Sequence, residues 1–224
     1  MRAFLENKAN CYEKKGFYNA SIELHEKALA IRTKLNSPLA ANSYNNMGNI
    51  YQSKGDFDRA LIFHQKTLAI RRDNLDSLHP DIASSYANMA ISLCSLKEID
   101  EAIKLVEKSL SIKTANLDSI HLDFAFSYGV LGDCYFDKKE FERAIVEYKK
   151  AQRILTKVYS EEHQDAASML YNTANCYVGL KRNEEAIDLY HQAIAIQTKV
   201  YGDKHPDLAS TYNNLAFAHY QKMK

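Results

Sequence analysis

The stretch HPDIASSYANMA, which begins at His79, returns as HPDLASTYNNLA at His205. Between them lie LDFAFSYGVLGDCY from Leu122 and QDAASMLYNTANCY from Gln164, and ahead of them PLAANSYNNMGNIY from Pro38. Starts at residues 38, 80, 122, 164 and 206 make an unbroken repeat of 42 residues. A shorter copy, FLENKANCY, opens the chain, and the linker after it is three residues shorter. A period of this length marks each unit as one supersecondary element. Such a unit cannot bury its apolar side alone, so stacked neighbours must supply a continuous core.

Each unit carries two helical patterns. In the first, a large residue, a small one and an aromatic recur at i, i+4 and i+7, as Tyr44, Gly48 and Tyr51 or Tyr128, Gly132 and Tyr135. These share one helix face, and the small middle residue lets a second helix come close. The second pattern has Ala60, Ala102, Ala144 and Ala186 near its start. Small residues follow (Thr67, Ser109, Ala151, Ala193), then isoleucines (Ile70, Ile112, Ile154, Ile196). Between the helices, KGDF at Lys54–Phe57 reads as a turn with Asp56 as a helix cap. Pro80 and Pro206 suit a first helical turn, and Asp81 and Asp207 complement the positive end of the dipole. With only 7 Gly and 3 Pro, strand-and-turn architectures are disfavoured.

The small residue, the Tyr three positions later, GDF and the paired alanines resemble the tetratricopeptide repeat family. The long period, HPD and YNNLA are most similar to the branch seen in kinesin light chains and nephrocystin-3-like proteins. The resemblance covers practically the whole chain, with departures. Lys97, Lys139 and Lys181 stand where the family has Gly, and Leu93 and His219 where it has the first-helix Tyr. It implies an all-α, right-handed superhelical solenoid of antiparallel helix pairs. Five hairpins and a sixth first helix are expected, about eleven helices in all. The array is expected to run over 1–224 as units near 1–37, 38–79, 80–121, 122–163 and 164–205, with a first helix at 206–224. The last unit lacks its second helix. Its packing face is therefore expected to be bare, and the sequence is expected to be a segment of a longer protein.

The resemblance also implies that first helices line a concave groove, with positions two, five, six and nine of the motif facing inward. Position six is Asn7, Asn46, Asn88, Val130, Asn172 and Asn214, and position nine is Asn10, Asn49, Ile91, Asp133, Asn175 and Phe217. Position five includes Asn45, Tyr171 and Asn213, and position two is Asn42, Ser84, Phe126, Ser168 and Ser210. A carboxamide offers both donors and an acceptor. It can match the N–H and C=O groups of an extended peptide without requiring a particular side chain. Asn is also a poor helix-interior residue, by several tenths of a kcal/mol against Ala. The expected activity is therefore that of an interaction scaffold holding an extended segment of a partner protein. Tyr171, Phe126, Ile91 and Phe217 would add specificity.

Charge narrows the partner. The segments 40–52, 82–96, 122–136, 164–180 and 208–220 contain no Lys or Arg. The resemblance admits a basic clamp for a C-terminal carboxylate, but its cationic positions hold Asn, Ser, Ala and similar residues. The acidic, Trp-containing cargo peptides of kinesin light chains need basic groove residues that are also missing. Asp123, Asp133 and Asp137 favour a neutral or basic segment. Alternatives are a regulatory or autoinhibitory array of a larger signalling enzyme, of NTPase or ADP-ribosyltransferase type, and self-association through the bare last face.

Sharper chemistry finds no support. The motifs GxxxxGK[ST], HExxH, GxSxG and GxGxxG are absent, so neither enzyme activity nor a cofactor is expected. His79, His121, His163 and His205 recur one period apart, and helices pack 8–10 Å from one another. Equivalents a whole unit apart cannot share a metal ion, so cap and loop roles are expected. The same spacing argues against a bridge between Cys134 and Cys176. The four cysteines hold no CxxC pair, which points to a reducing, cytoplasmic setting. A net charge of +1 and the absence of a long apolar run leave no expectation of a nucleic-acid or membrane partner.

Overall fold

In the computed structural model the described residues are 17–34, 37–118, 120–159, 162–203 and 205–223. They form ten α-helices and no strand. The helices group into two compact units, one ending at Asn116 and one beginning at Leu117. The first unit contains α1 (Tyr18–Lys34), α2 (Ala40–Ser53), α3 (Phe57–Asn74), α4 (Pro80–Ser95) and α5 (Ile99–Asn116). The second contains α6 (Leu122–Asp137), α7 (Phe141–Val158), α8 (Gln164–Gly179), α9 (Asn183–Tyr201) and α10 (Pro206–Lys222). Within each unit every helix packs mainly on its sequence neighbours, as stacked helix hairpins require. First helices also touch in the pairs α2–α4 and α8–α10. The helical solenoid class expected from the repeat is the observed one. The expected eleventh helix would fall on residues outside those described.

The turn inside each of the four described hairpins is the same. The N–H of the residue at the bend bonds three residues back and the next N–H bonds five back. Examples are Lys181 to Val178 O at 3.0 Å and Arg182 to Tyr177 O at 2.9 Å. This closes the first helix with its orphan carbonyls satisfied. The bend residue adopts positive φ: 76° at Gly55, 66° at Lys97, 61° at Lys139 and 60° at Lys181. The three lysines that depart from the glycine pattern therefore keep the glycine conformation. An L-residue there is disfavoured by about 1–2 kcal/mol, partly offset by glycine's extra freedom when unfolded. Lys181→Gly is accordingly expected to stabilise the chain by about 0.5–1 kcal/mol. Urea unfolding should show a higher midpoint, and an unchanged or lower one would contradict the strain.

Helix starts follow the residues that the sequence marks. Asp56 caps α3 by accepting from the Arg59 N–H at 3.2 Å. His79, His121 and His163 cap α4, α6 and α8, each Nδ1 accepting the backbone N–H two residues on, at 3.1–3.2 Å. His163 also stacks on Tyr159 at 4.0 Å and His205 on Tyr201 at 4.1 Å. The periodic histidines thus close loops and helix ends, as expected. Cys176 is a buried free thiol, so no bridge joins it to Cys134.

The core consists of the expected small and large residues. Ala60, Ala102, Ala144 and Ala186 are fully buried, as are Thr67, Ser109, Ala151 and Ala193. In the first unit Ile22, Met47, Ile50 and Tyr51 pack with Phe63 and Leu29. Polar ties join the end of one hairpin to the next first helix. Arg32 Nη1 donates to Ser43 Oγ at 2.6 Å, and Arg71 Nη1 to Ser85 Oγ at 2.8 Å and to the Asp81 carbonyl at 2.7 Å. Thr211 Oγ1 donates to Gln197 Oε1 at 2.9 Å at the same register of the second unit. One period before that last pair, Leu155 and Met169 stand at the equivalent positions. At the end of the chain, α10 carries Tyr212, Phe217 and Tyr220, each about half exposed. The corresponding Tyr44, Tyr86 and Tyr128 are covered or partly covered.

Candidate functional site

The asparagines at positions two, five, six and nine lie on one face of each first helix, because these positions fall within one arc of the helical wheel. Asn7 and Asn10 lie outside the described residues. In the first unit Asn42 on α2 is exposed, while Asn45, Asn46, Asn49 and, on α4, Asn88 are half-buried. Asn88 Nδ2 donates to Asn45 Oδ1 at 3.1 Å. Gln52 Nε2 reaches from α2 to the Asn88 carbonyl at 2.8 Å and to Ser92 Oγ at 3.0 Å. Two amides of the ladder are therefore tied to each other. The side chains of Asn42, Asn46 and Asn49 make no hydrogen bond to another described residue.

The second unit repeats this division. Asn214 Nδ2 donates to Tyr171 OH at 2.8 Å and to Asn175 Oδ1 at 2.9 Å. Asn175 Oδ1 also accepts from the Tyr190 hydroxyl at 2.5 Å. Asn172, half-buried, and Asn213, exposed, carry no such bond among the described residues. Phe126 and Phe217 are exposed on the faces of α6 and α10. The face thus mixes internally braced amides with open ones: Asn42, Asn46, Asn49, Asn172 and Asn213.

Second helices contribute to this face from behind, which the first-helix positions did not reveal. Tyr148 and Tyr190 stand one period apart, and their rings are buried. Tyr148 lies over Gly132, so that its hydroxyl emerges at position nine and donates to Asp133 Oδ1 at 2.7 Å. Asp133 is exposed at the surface but surrounded by protein. Desolvation pushes its carboxyl up to about 6, against the lowering effect of the Tyr148 bond and with the help of nearby Asp137. Above that pH the face carries negative charge at this point. Cys176 is pushed up to about 12, mainly by burial and then by the Asp133 charge, which makes it a packing thiol rather than a nucleophile. Among the described residues no group of three or more His, Cys, Asp or Glu side chains is placed to hold a metal ion. No described helix is long and apolar enough to cross a membrane.

The family model for the tetratricopeptide repeat matches residues 1–73, 39–115, 81–157, 123–196 and 165–223 in overlapping succession. The chain belongs to the tetratricopeptide repeat family. Solved structures agree on the fold. The nearly identical TPR-like repeats assigned to a kinesin light chain of Podosopora anserina superpose with a TM-score of 0.69 at 24% identity, over 90% of this chain and 97% of that one. BtubC (BKLC) of P. vanneervenii gives 0.74 at 20%, over 92% and 82%. The apo form of RapI gives 0.75 at 15%, over 99% and 84%. At these identities the likeness is one of fold. No curated protein is a sequence match. Tetratricopeptide repeats generally mediate protein–protein interaction.

Proposed function

We propose that this tetratricopeptide repeat protein holds an extended segment of a partner protein against the faces of its first helices. The observation that carries the reading is the set of open carboxamides, Asn46, Asn49 and Asn172 above all, beside amides that neighbouring helices already brace. Braced amides hold the face in shape without loss of side-chain entropy on binding. Open ones can exchange water for the N–H and C=O groups of an extended chain. The absence of first-helix cations and the exposed carboxylate of Asp133 favour a neutral or basic segment. A cytoplasmic setting belongs to the same proposal.

A random dodecapeptide display library panned on the protein tests it. Peptides selected by the wild type are expected to weaken about tenfold on Asn46→Ala/Asn49→Ala or on Asn172→Ala, as loss of one or two hydrogen bonds implies. The far-ultraviolet circular dichroism should not change. Selected peptides that bind these variants as tightly as the wild type would place the docking surface elsewhere.

A further inference from the structure

Cations are scarce on the described first helices and spread over the second ones, of which α7 carries the most, five. On α7, Lys149, Lys150, Arg153 and Lys157 fall along one stripe about 12 Å long, from the rise of 1.5 Å per residue. All four are exposed. Lys150 is paired with Glu147 at 2.8 Å, and Lys149 donates to the Tyr177 hydroxyl at 3.3 Å. Arg153 and Lys157 have no carboxylate partner among the described residues. Like charges three and four residues apart repel on a helix, so the stripe is unfavourable for the helix itself.

The repeat provides its own control. At the register of Arg153 the other described second helices carry Ala30, Ala69, Ser111 and Ala195, and at that of Lys157 they carry Lys34, Asp73, Ala115 and Lys199. The stripe is therefore no part of what the hairpin needs in order to stack. Two grooves flank it. One, of about 580 Å³, runs between α7 and α9 and combines Lys149 and Arg153 with the apolar surface of Leu170 and Ile196. Glu162 also lines it, but its carboxylate is held by Lys199 at 2.5 Å. The other, of about 260 Å³, sets Lys150, Arg153 and Lys157 beside Ile120, Tyr128 and Ile154. Arg153 lines both.

We propose that the α7 stripe and its two grooves form a second docking surface, which takes an acidic protein segment bearing aliphatic or aromatic side chains. The cations call for carboxylates. The apolar groove walls call for side chains that a sugar–phosphate backbone does not offer. The stripe is the length of about four extended residues, so a short linear segment suffices. This surface is chemically opposite to the first-helix face and does not depend on it.

The same peptide library separates the two. On the wild type a class of peptides rich in Asp and Glu, with at least one aliphatic or aromatic residue, should be selected. Arg153→Glu/Lys157→Glu should weaken that class about tenfold or more, and added salt should weaken it too. Asn46→Ala/Asn49→Ala should leave it unchanged. Both replaced residues are exposed, and an unchanged melting temperature of the double variant confirms the fold. Failure to select an acidic class, or acidic peptides that bind the double variant as well as the wild type, would overturn the proposal. So would labelled oligothymidylate that binds the wild type more tightly than any selected peptide and is released by the charge reversal, which would reassign the stripe to nucleic acid.

Discussion

Replacing His64 with tyrosine is expected to stabilise the protein by about 2 kcal/mol near neutral pH, and by more in mild acid. His64 is fully buried on α3, and neither ring nitrogen has a hydrogen-bond partner. Burial, reinforced by the positive charge of Arg71, holds its imidazole down at about 4. The unfolded chain, with an ordinary value near 6.5, takes up the proton first. The favourable contribution is therefore complete above about pH 6.5 and is lost as pH falls towards about 4, by about 3 kcal/mol in total. At the equivalent positions of later repeats stand Tyr148, which lies over Gly132, and Tyr190, and their hydroxyls bond Asp133 and Asn175 at position nine. In the repeat of His64 that position is Asn49, and the residue beneath the ring is Gly48. A tyrosine at 64 thus gains a carboxamide partner and removes two unsatisfied buried nitrogens. Thermal unfolding of both proteins between about pH 7 and pH 4.5 provides the measurement, with the difference between them as the readout. Parallel curves would mean that residue 64 does not titrate in this way.

The second large effect concerns Gly132. A β-carbon there would lie 2.5 and 2.6 Å from ring carbons of Tyr148, a side chain only 2% exposed and anchored to Asp133. Alanine improves helix propensity by about 1 kcal/mol, but forcing the ring or the helix aside costs more, for a net loss of about 2 kcal/mol. Leucine at 132 is expected to cost at least about 3 kcal/mol. The neighbouring repeat combines Ala174 with Tyr190, so alanine is the milder change. One period earlier, Ala90 and Val106 hold the same two places, and both are fully buried. Gly132→Ala combined with Tyr148→Val copies that pair. The double variant is expected to lose less than the sum of the single ones by at least about 1 kcal/mol, in a cycle measured by urea unfolding. Strict additivity would show that the ring does not rest on the glycine.

Whatever repeats with the period could be read directly from the chain. Tyr44, Gly48 and Tyr51 announced a helix face, Asp56 a cap, and the four loop histidines their closing role. Lys97, Lys139 and Lys181 were visible as departures from glycine, and the left-handed backbone beneath them explains why the position is special. The polar ties between hairpins were not legible. A search for apolar faces passes over Ser43, Ser85 and Thr211, and a buried arginine such as Arg71 reads as surface charge until its neighbours are placed. The division of the asparagines into braced and open ones was hidden for a different reason. It depends on how far one first helix is staggered along the next. The same crossing of 43 residues joins Asn88 to Asn45 and Asn214 to Tyr171, while Asn214 also reaches Asn175 across 39. A period of 42 fixes the spacing of equivalent residues and says nothing of such crossings.

The ties between hairpins have a consequence for assembly. Arg71 meets Ser85 and Gln197 meets Thr211, and between them the equivalent positions hold first Lys113 and Ser127, then Leu155 and Met169. A hairpin stacked one place out of order would bring the buried ammonium of Lys113 against the Met169 thioether, or the aliphatic Leu155 against the lone hydroxyl of Thr211. Each such mismatch leaves a buried polar group unanswered. The units look alike in outline, yet they are keyed to particular neighbours, so the order in which they follow one another is itself encoded and cannot be shuffled without penalty.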